Sequence, residues 1–132
     1  MNIGEISRET GVTSKTIRYY ESIGLIPLAA RRNNGYRAYR PNDVSVLKFI
    51  SRARALGFSL EEVRGLLTLW HDKERASADV KALALDHVEK IEARITELQS
   101  VKYTLLELTE KCHGDDRPDC PILDDLAGAE RN

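Results

Sequence analysis

The sequence predicts a mainly α fold: a helix-turn-helix head carrying a small β-hairpin, one long helix, and a C-terminal loop closed by a short helix. Three observations carry this expectation. Glycines and capping residues divide residues 1–70 into four short helical stretches. One Asn-Gly pair, flanked by Arg and Tyr, marks a hairpin, and residues 77–110 contain neither Gly nor Pro. The chain of 132 residues is 42% hydrophobic and 31% charged, which excludes collagen-like, disordered and membrane-spanning classes. No stretch approaches the roughly 20 apolar residues of a bilayer span. The opening Met1-Asn2-Ile3-Gly4-Glu5 lacks the basic start and apolar run of a secretory leader. The expectation is a cytoplasmic protein whose two cysteines are kept reduced.

In chain order, Ile3–Thr10 reads as a helix ended by Gly11. Ser14 is the expected N-cap of a second helix, Lys15–Ile23, stopped by Gly24 at the C′ position. Two short helices joined by a tight turn make a helix-turn-helix pattern. Ile26-Pro27-Leu28 ends it, and Asn34-Gly35 supplies the positive-φ pair of a hairpin spanning residues 31–40. Because that ribbon is rich in Arg and Tyr and lacks core alternation, it reads as a projecting wing. Pro41, with Asp43 in the first turn, opens a third helix to about Leu56 with an apolar face of Val44, Leu47, Ile50 and Ala53/Ala55. Ser59 and Glu62 form a capping box for a fourth helix to about Trp70, with Leu60, Val63, Leu66 and Leu67 inward.

From Ser77 or Asp79 to about Glu110, apolar residues recur at Ala84, Val88, Ile91, Ile95, Leu98 and Leu105, a heptad-like seam interrupted by Lys102. A helix of about 48 Å with one apolar stripe needs cover that a chain this short does not supply, so a second copy is the expected partner. A polar loop from Cys112 to Cys120 follows, then a short helix opened by Pro121. The expected organisation is 1–76, 77–110 and 111–132. His71 and His87 read as isolated surface residues. There is no Walker-type loop, no GxGxxG and no HExxH, and nothing assembles a nucleophile–base pair, so no enzyme is expected.

Charge is unevenly divided. Residues 1–56 hold ten Lys/Arg against four Asp/Glu, and residues 57–132 ten against seventeen, which points one end at a polyanion. Lys15, Thr16, Arg18, Tyr19 and Tyr20 lie on the second helix, where a recognition helix faces base edges and phosphates. Arg31, Tyr36 and Arg37 on the wing and Arg54 on the third helix are placed to grip the phosphate backbone. One of the two adjacent tyrosines, Tyr19 on this reading, is expected to be partly structural.

The run Thr16-Ile17-Arg18-Tyr19-Tyr20-Glu21, then Gly24-Leu25-Ile26, Asn34-Gly35-Tyr36-Arg37, Tyr39 and Gly57-Phe58-Ser59-Leu60-Glu61-Glu62 resembles the MerR family over essentially the whole chain. Its copper-responsive CueR/HmrR branch is the most similar. The resemblance implies a winged helix-turn-helix DNA-binding domain and a homodimer joined by antiparallel long helices. It also implies activation of transcription at promoters with over-long spacers, where the metal-bound dimer bends and untwists DNA for RNA polymerase. The associated location is cytoplasmic, at the nucleoid.

Cys112 and Cys120, with no fixed third ligand, suit a soft monovalent d10 ion, Cu(I) above all, with Ag(I) or Au(I) as surrogates; zinc normally asks for more ligands. Two thiolates around M⁺ leave about one negative charge, which the positive end of the short helix is expected to offset. Relatives that sense divalent metals tend to carry a cysteine where this chain has Ser77, so the resemblance makes Ser77 a selectivity position. Asp115, Asp116 and Asp119 are read as turn and solvent residues, with Asp115 or Asp116 capping the turn. His113 as a third ligand, a Cys112–Cys120 disulfide and a cytosolic copper-buffering role remain alternatives. An iron–sulfur cluster would need four cysteines.

Overall fold

The computed structural model describes residues 1–31 and 37–128. It divides into two compact units, Met1–Val80 and Lys81–Asn132.

The first unit is helical except for one short ribbon. Helix α1 (Ile3–Thr10) starts at Asn2, whose side chain accepts from the Glu5 amide while Glu5 accepts from the Asn2 amide, and ends on Gly11 at φ 76°. Helix α2 (Ser14–Ser22) follows. Its cap is Thr13, one residue earlier than the sequence suggested: Thr13 Oγ1 accepts the Thr16 amide at 3.2 Å, so Ser14 becomes the first helical residue. Gly24 sits just beyond the helix at φ 71°, a left-handed conformation that lets the chain turn away. Strands β1 (Ala30–Arg31) and β2 (Arg37–Ala38) pair antiparallel, with Ala30 opposite Ala38 and Arg31 opposite Arg37. The Asn34-Gly35 turn expected between them lies outside the described residues.

Helix α3 (Pro41–Ala55) and helix α4 (Leu60–His71) complete the head. The α4 capping box is formed as expected: Ser59 Oγ accepts the Glu62 amide at 3.1 Å and Glu62 accepts the Ser59 amide at 2.9 Å. Helix α1 packs on α2 and α3, and α3 packs on α4. Ile6, Ile17, Leu47, Ile50 and Val63 are the fully buried centre, with Val12, Tyr20, Leu25, Ile26, Tyr39, Val44, Val46, Ala53 and Leu67 around them. Ala55 is exposed, because the inward stripe of α3 runs through Val46 as well as Val44, Leu47, Ile50 and Ala53. Phe49 and Trp70 stack at 4.4 Å between α3 and α4.

Helix α5 runs from Ser77 to Lys111 as 35 continuous residues, about 52 Å at 1.5 Å per residue. In the second unit it leads through a loop into α6 (Pro121–Leu126). Most of α5 is exposed, including Val88, Ile91, Ile95, Leu98 and Leu105 of the apolar seam. His87 contradicts its reading as a surface residue: it is 8% exposed. Helical phase, three residues after Ala84 and four before Ile91, groups it with the apolar seam, but it is buried where Val88 and Ile91 of that seam are exposed. No helix among the described residues is long and apolar enough to cross a membrane.

Candidate nucleic-acid interface and thiol site

Helix α2 presents two contrasting faces. Ile17, Tyr20 and Glu21 point into the head and are buried, whereas Lys15, Arg18 and Tyr19 are exposed. The expectation for the tyrosine pair is therefore reversed. Tyr20 is 8% exposed and Tyr19 51%, because residues at i, i+3 and i+4 from Ile17 share its face and Tyr19, at i+2, lies across the helix. Thr16 is half-buried and its hydroxyl accepts from Thr13 Oγ1 at 2.8 Å. The outward set on α2 is thus Lys15, Arg18, Tyr19 and Ser22: two cations suited to phosphates or base edges, one phenol, and a serine hydroxyl that donates to Tyr19 O at 2.6 Å.

A buried carboxylate anchors the inward face. Glu21, 5% exposed, accepts the Ala29 amide at 3.1 Å on one oxygen and the Tyr39 hydroxyl at 2.6 Å on the other. Tyr39 in turn exchanges backbone bonds with Met1: the Tyr39 amide donates to Met1 O at 2.7 Å, and the Met1 amine donates to Tyr39 O at 3.0 Å. The base of the β1–β2 ribbon is thereby tied to α2 and to the start of α1. Sequence reasoning missed Glu21, whose partners lie 8 and 18 positions away. A charged residue in a polar helix ordinarily reads as solvated; the only available signal was its position four residues after Ile17.

The remaining interface residues fall as follows. Arg31 and Arg37 occupy paired strand positions, and Tyr36 lies outside the described residues. Arg54, on α3, is exposed, and its guanidinium donates to Phe58 O at 2.7 Å, so part of its donor fork closes the α3–α4 turn.

In the second unit Cys112 and Cys120 are free thiols, both half-buried. Cys112 follows the last residue of α5, with its amide donating to Thr109 O at 3.2 Å, and Cys120 is the N-cap of α6, ahead of Pro121. Between them Gly114 takes φ 63°, and Asp115 accepts the Arg117 amide at 2.9 Å and Arg117 Nε at 2.8 Å. Asp115 is thus the turn residue. Apart from His87, burial in α5 is confined to Leu108, 2% exposed and one helical turn before Cys112; Cys120, Pro121 and Ile122 are half-buried. Ser77 is exposed at the first position of α5, and His113 is exposed. Among the described residues no three His, Cys, Asp or Glu side chains gather as a metal site. Cys112 and Cys120 are the two cysteines of the chain.

A helix-turn-helix head with an outward basic helix face, followed by a long helix, defines a DNA-binding protein. The family description "MerR HTH family regulatory protein" matches residues 1–69 and "MerR, DNA binding" matches residues 44–108. The chain belongs to the MerR family: it is a DNA-binding transcription regulator and not an enzyme. It is 55% identical over 127 residues to heavy metal-dependent transcription regulator 2 of Rhizobium meliloti (strain 1021), covering 96% of this chain and 86% of that one. To the regulator CueR of Salmonella typhimurium (strain LT2) it is 48% identical, covering 97% and 93%. Among solved structures it is similar to the transcription regulator PbrR691 from Ralstonia metallidurans CH34 in complex with lead(II). The TM-score is 0.82 at 33% identity, covering 96% of this chain and 98% of that one.

Proposed function

We propose that this protein is a Cu(I)-responsive activator that binds promoter DNA as a homodimer and controls copper-efflux or detoxification genes in the cytoplasm, at the nucleoid. The observation that carries this reading is the pair of half-buried free thiols bracketing one nine-residue segment, Cys112–Cys120. Two sulfurs, adjoined by hard carboxylates that serve as turn residues, match a soft monovalent ion better than a divalent one. Similarity to a heavy metal-dependent regulator and to CueR supports the metal class.

Cys112 and Cys120 would hold the ion as thiolates, and a bound ion would supply a cross-link between the end of α5 and the start of α6. On the DNA side, Lys15, Thr16, Arg18, Tyr19 and Tyr20 belong to the reading helix. The outward Lys15, Arg18 and Tyr19 make the contacts there, while Thr16 and Tyr20 shape the helix from within. Arg31, Tyr36, Arg37 and Arg54 grip the flanking phosphates from the wing and α3. The exposed stripe Val88, Ile91, Ile95, Leu98 and Leu105 is the dimer seam of an antiparallel helix pair. Effector-dependent activation, with RNA polymerase engaging the reshaped promoter, follows from a ligand that favours one of two dimer arrangements.

A second reading, a soft divalent effector such as Pb(II), is favoured by the likeness to a lead-bound regulator. Ser77, with a hydroxyl rather than a thiol, argues against it. X-ray absorption on the reduced protein decides between them. One Cu(I) per chain with two sulfur neighbours is expected, and Ser at both cysteines abolishes loading. A third protein donor around Cu(I), or displacement of Cu(I) by equimolar Pb(II), overturns the assignment.

A further inference from the structure

Helix α2 has no basic residue in its last turn, although its exposed C-terminal carbonyls would favour a cation there. The cation comes instead from α4. Arg64 Nη2 donates to Ile23 O at 2.8 Å and Nη1 donates to Gly24 O at 3.0 Å, so one planar fork holds two successive carbonyls 41 and 40 positions away in sequence. The main helix packing runs from α2 to α1, α1 to α3 and α3 to α4; the Arg64 fork joins the end of α2 to α4 directly.

We propose that Arg64 is a positioning residue that fixes the C-terminal end of the reading helix against α4, and with it the direction in which Arg18 is presented to DNA. The inference rests on α2 being the reading helix. A bidentate guanidinium sets an orientation as well as a distance, which an ammonium does not. Exposed on the surface, the fork adds little to global stability, so its effect falls on specificity. With both Nη atoms donating to carbonyls, the Arg64 fork is held at the end of α2, and its proposed role is to tether, with no phosphate contact.

The test uses the full chain, a duplex selected from a random pool by the unaltered protein, and poly(dI-dC) as non-specific competitor. Arg64→Met lowers affinity for the selected duplex about five- to tenfold, leaves affinity for poly(dI-dC) within about twofold, and leaves the slope of affinity against salt unchanged. Arg64→Lys keeps the charge and restores less than half of the logarithmic loss. Amide exchange at Leu25 and Ile26, both bonded to Tyr20 O at the helix end, accelerates in Arg64→Met. A salt slope reduced by about 0.9 with full rescue by Lys would make Arg64 a phosphate contact and overturn the proposal. So would unchanged selected-duplex affinity in a background where Arg18→Ala weakens binding. If Arg18→Ala has no effect, the reading-helix assignment has failed instead, and exchange at Leu25 and Ile26 still decides the tether: unchanged exchange refutes it.

Discussion

Replacing Tyr39 with Phe removes one oxygen and nothing else. The ring is 4% exposed and its hydroxyl donates at 2.6 Å to Glu21, itself 5% exposed. Phe fills the same apolar space, so no cavity large enough for water opens, and the cost is the loss of one donor to a buried carboxylate. Hydrogen bonds to charged groups contribute about 1.5–3 kcal/mol; about 1.5 kcal/mol is expected, since the Ala29 amide still serves the other oxygen. Urea unfolding followed by the fluorescence of Trp70, the sole tryptophan and a residue of the head, reads this directly. With a slope of about 1 kcal/mol/M for a unit of this size, the midpoint falls by about 1.5 M at unchanged slope, at one fixed protein concentration. Tyr103→Phe, at a ring 65% exposed, is the control and moves the midpoint by less than about 0.3 M. If Tyr39→Phe behaves like that control, the Tyr39–Glu21 bond contributes nothing measurable and the tie between the ribbon and α2 is refuted as a source of stability.

Four further outcomes are expected. Arg18→Ala lowers affinity for a selected duplex by about 1–3 kcal/mol and relaxes base preference at one position, measured by fluorescence anisotropy at fixed salt. Ile95→Glu or Leu98→Glu, on a stripe half-exposed in the single chain, shifts the sedimenting species from dimer to monomer; an unchanged mass would remove the stripe from the dimer seam. Gly24→Ala forces a Cβ into φ 71° and costs about 1 kcal/mol in thermal unfolding. Cys112→Ser abolishes metal-dependent transcription in vitro while leaving metal-free DNA binding within about twofold; loss of folding instead would make the thiol structural.

What could be read from the sequence follows from the range of the forces involved. Gly11, Gly24, Ser59 with Glu62, and Pro41 act within one helical turn of themselves, so the helices of the head were legible to within a residue or two. Thr13 and Ser14 are both capping hydroxyls in adjacent positions, and only the register of the first turn chooses Thr13. Tyr19 and Tyr20 are equally plausible core residues by type; the phase set by Ile17 decides for Tyr20. Asn2, with Glu5 three residues on, carries the same local capping signal as Ser59 with Glu62. The long-range polar ties, Glu21 to Tyr39 and Arg64 to Ile23 and Gly24, depend on how the helices are packed, and no local pattern announces them. For the thiols the reverse holds: two cysteines around a Gly/Pro loop stand out by chemistry alone, while their half-burial at a helix end is a property of the fold.

That half-burial bears on how a metal signal would act. Helix α6 has six residues, well below the roughly 12 needed for an isolated helix to hold in water, and the loop before it is stabilised among its own side chains by the exposed Asp115–Arg117 turn, a contact of small worth. Burial near it is concentrated at Leu108 and the residues around the two sulfurs. Among the described residues of the second unit, the segment 112–126 is short of hydrogen-bonded structure of its own beside the continuous helix α5, and a ligand joining its two cysteines would bear on it directly. A ligand present at 100 times its dissociation constant contributes about 2.7 kcal/mol to the state that binds it, comparable to the whole stability such a short element can have. On the proposed reading, a ligand cross-linking Cys112 to Cys120 would stabilise this loop and α6, whereas the same ligand placed along the continuous helix α5 would add little to a structure already formed.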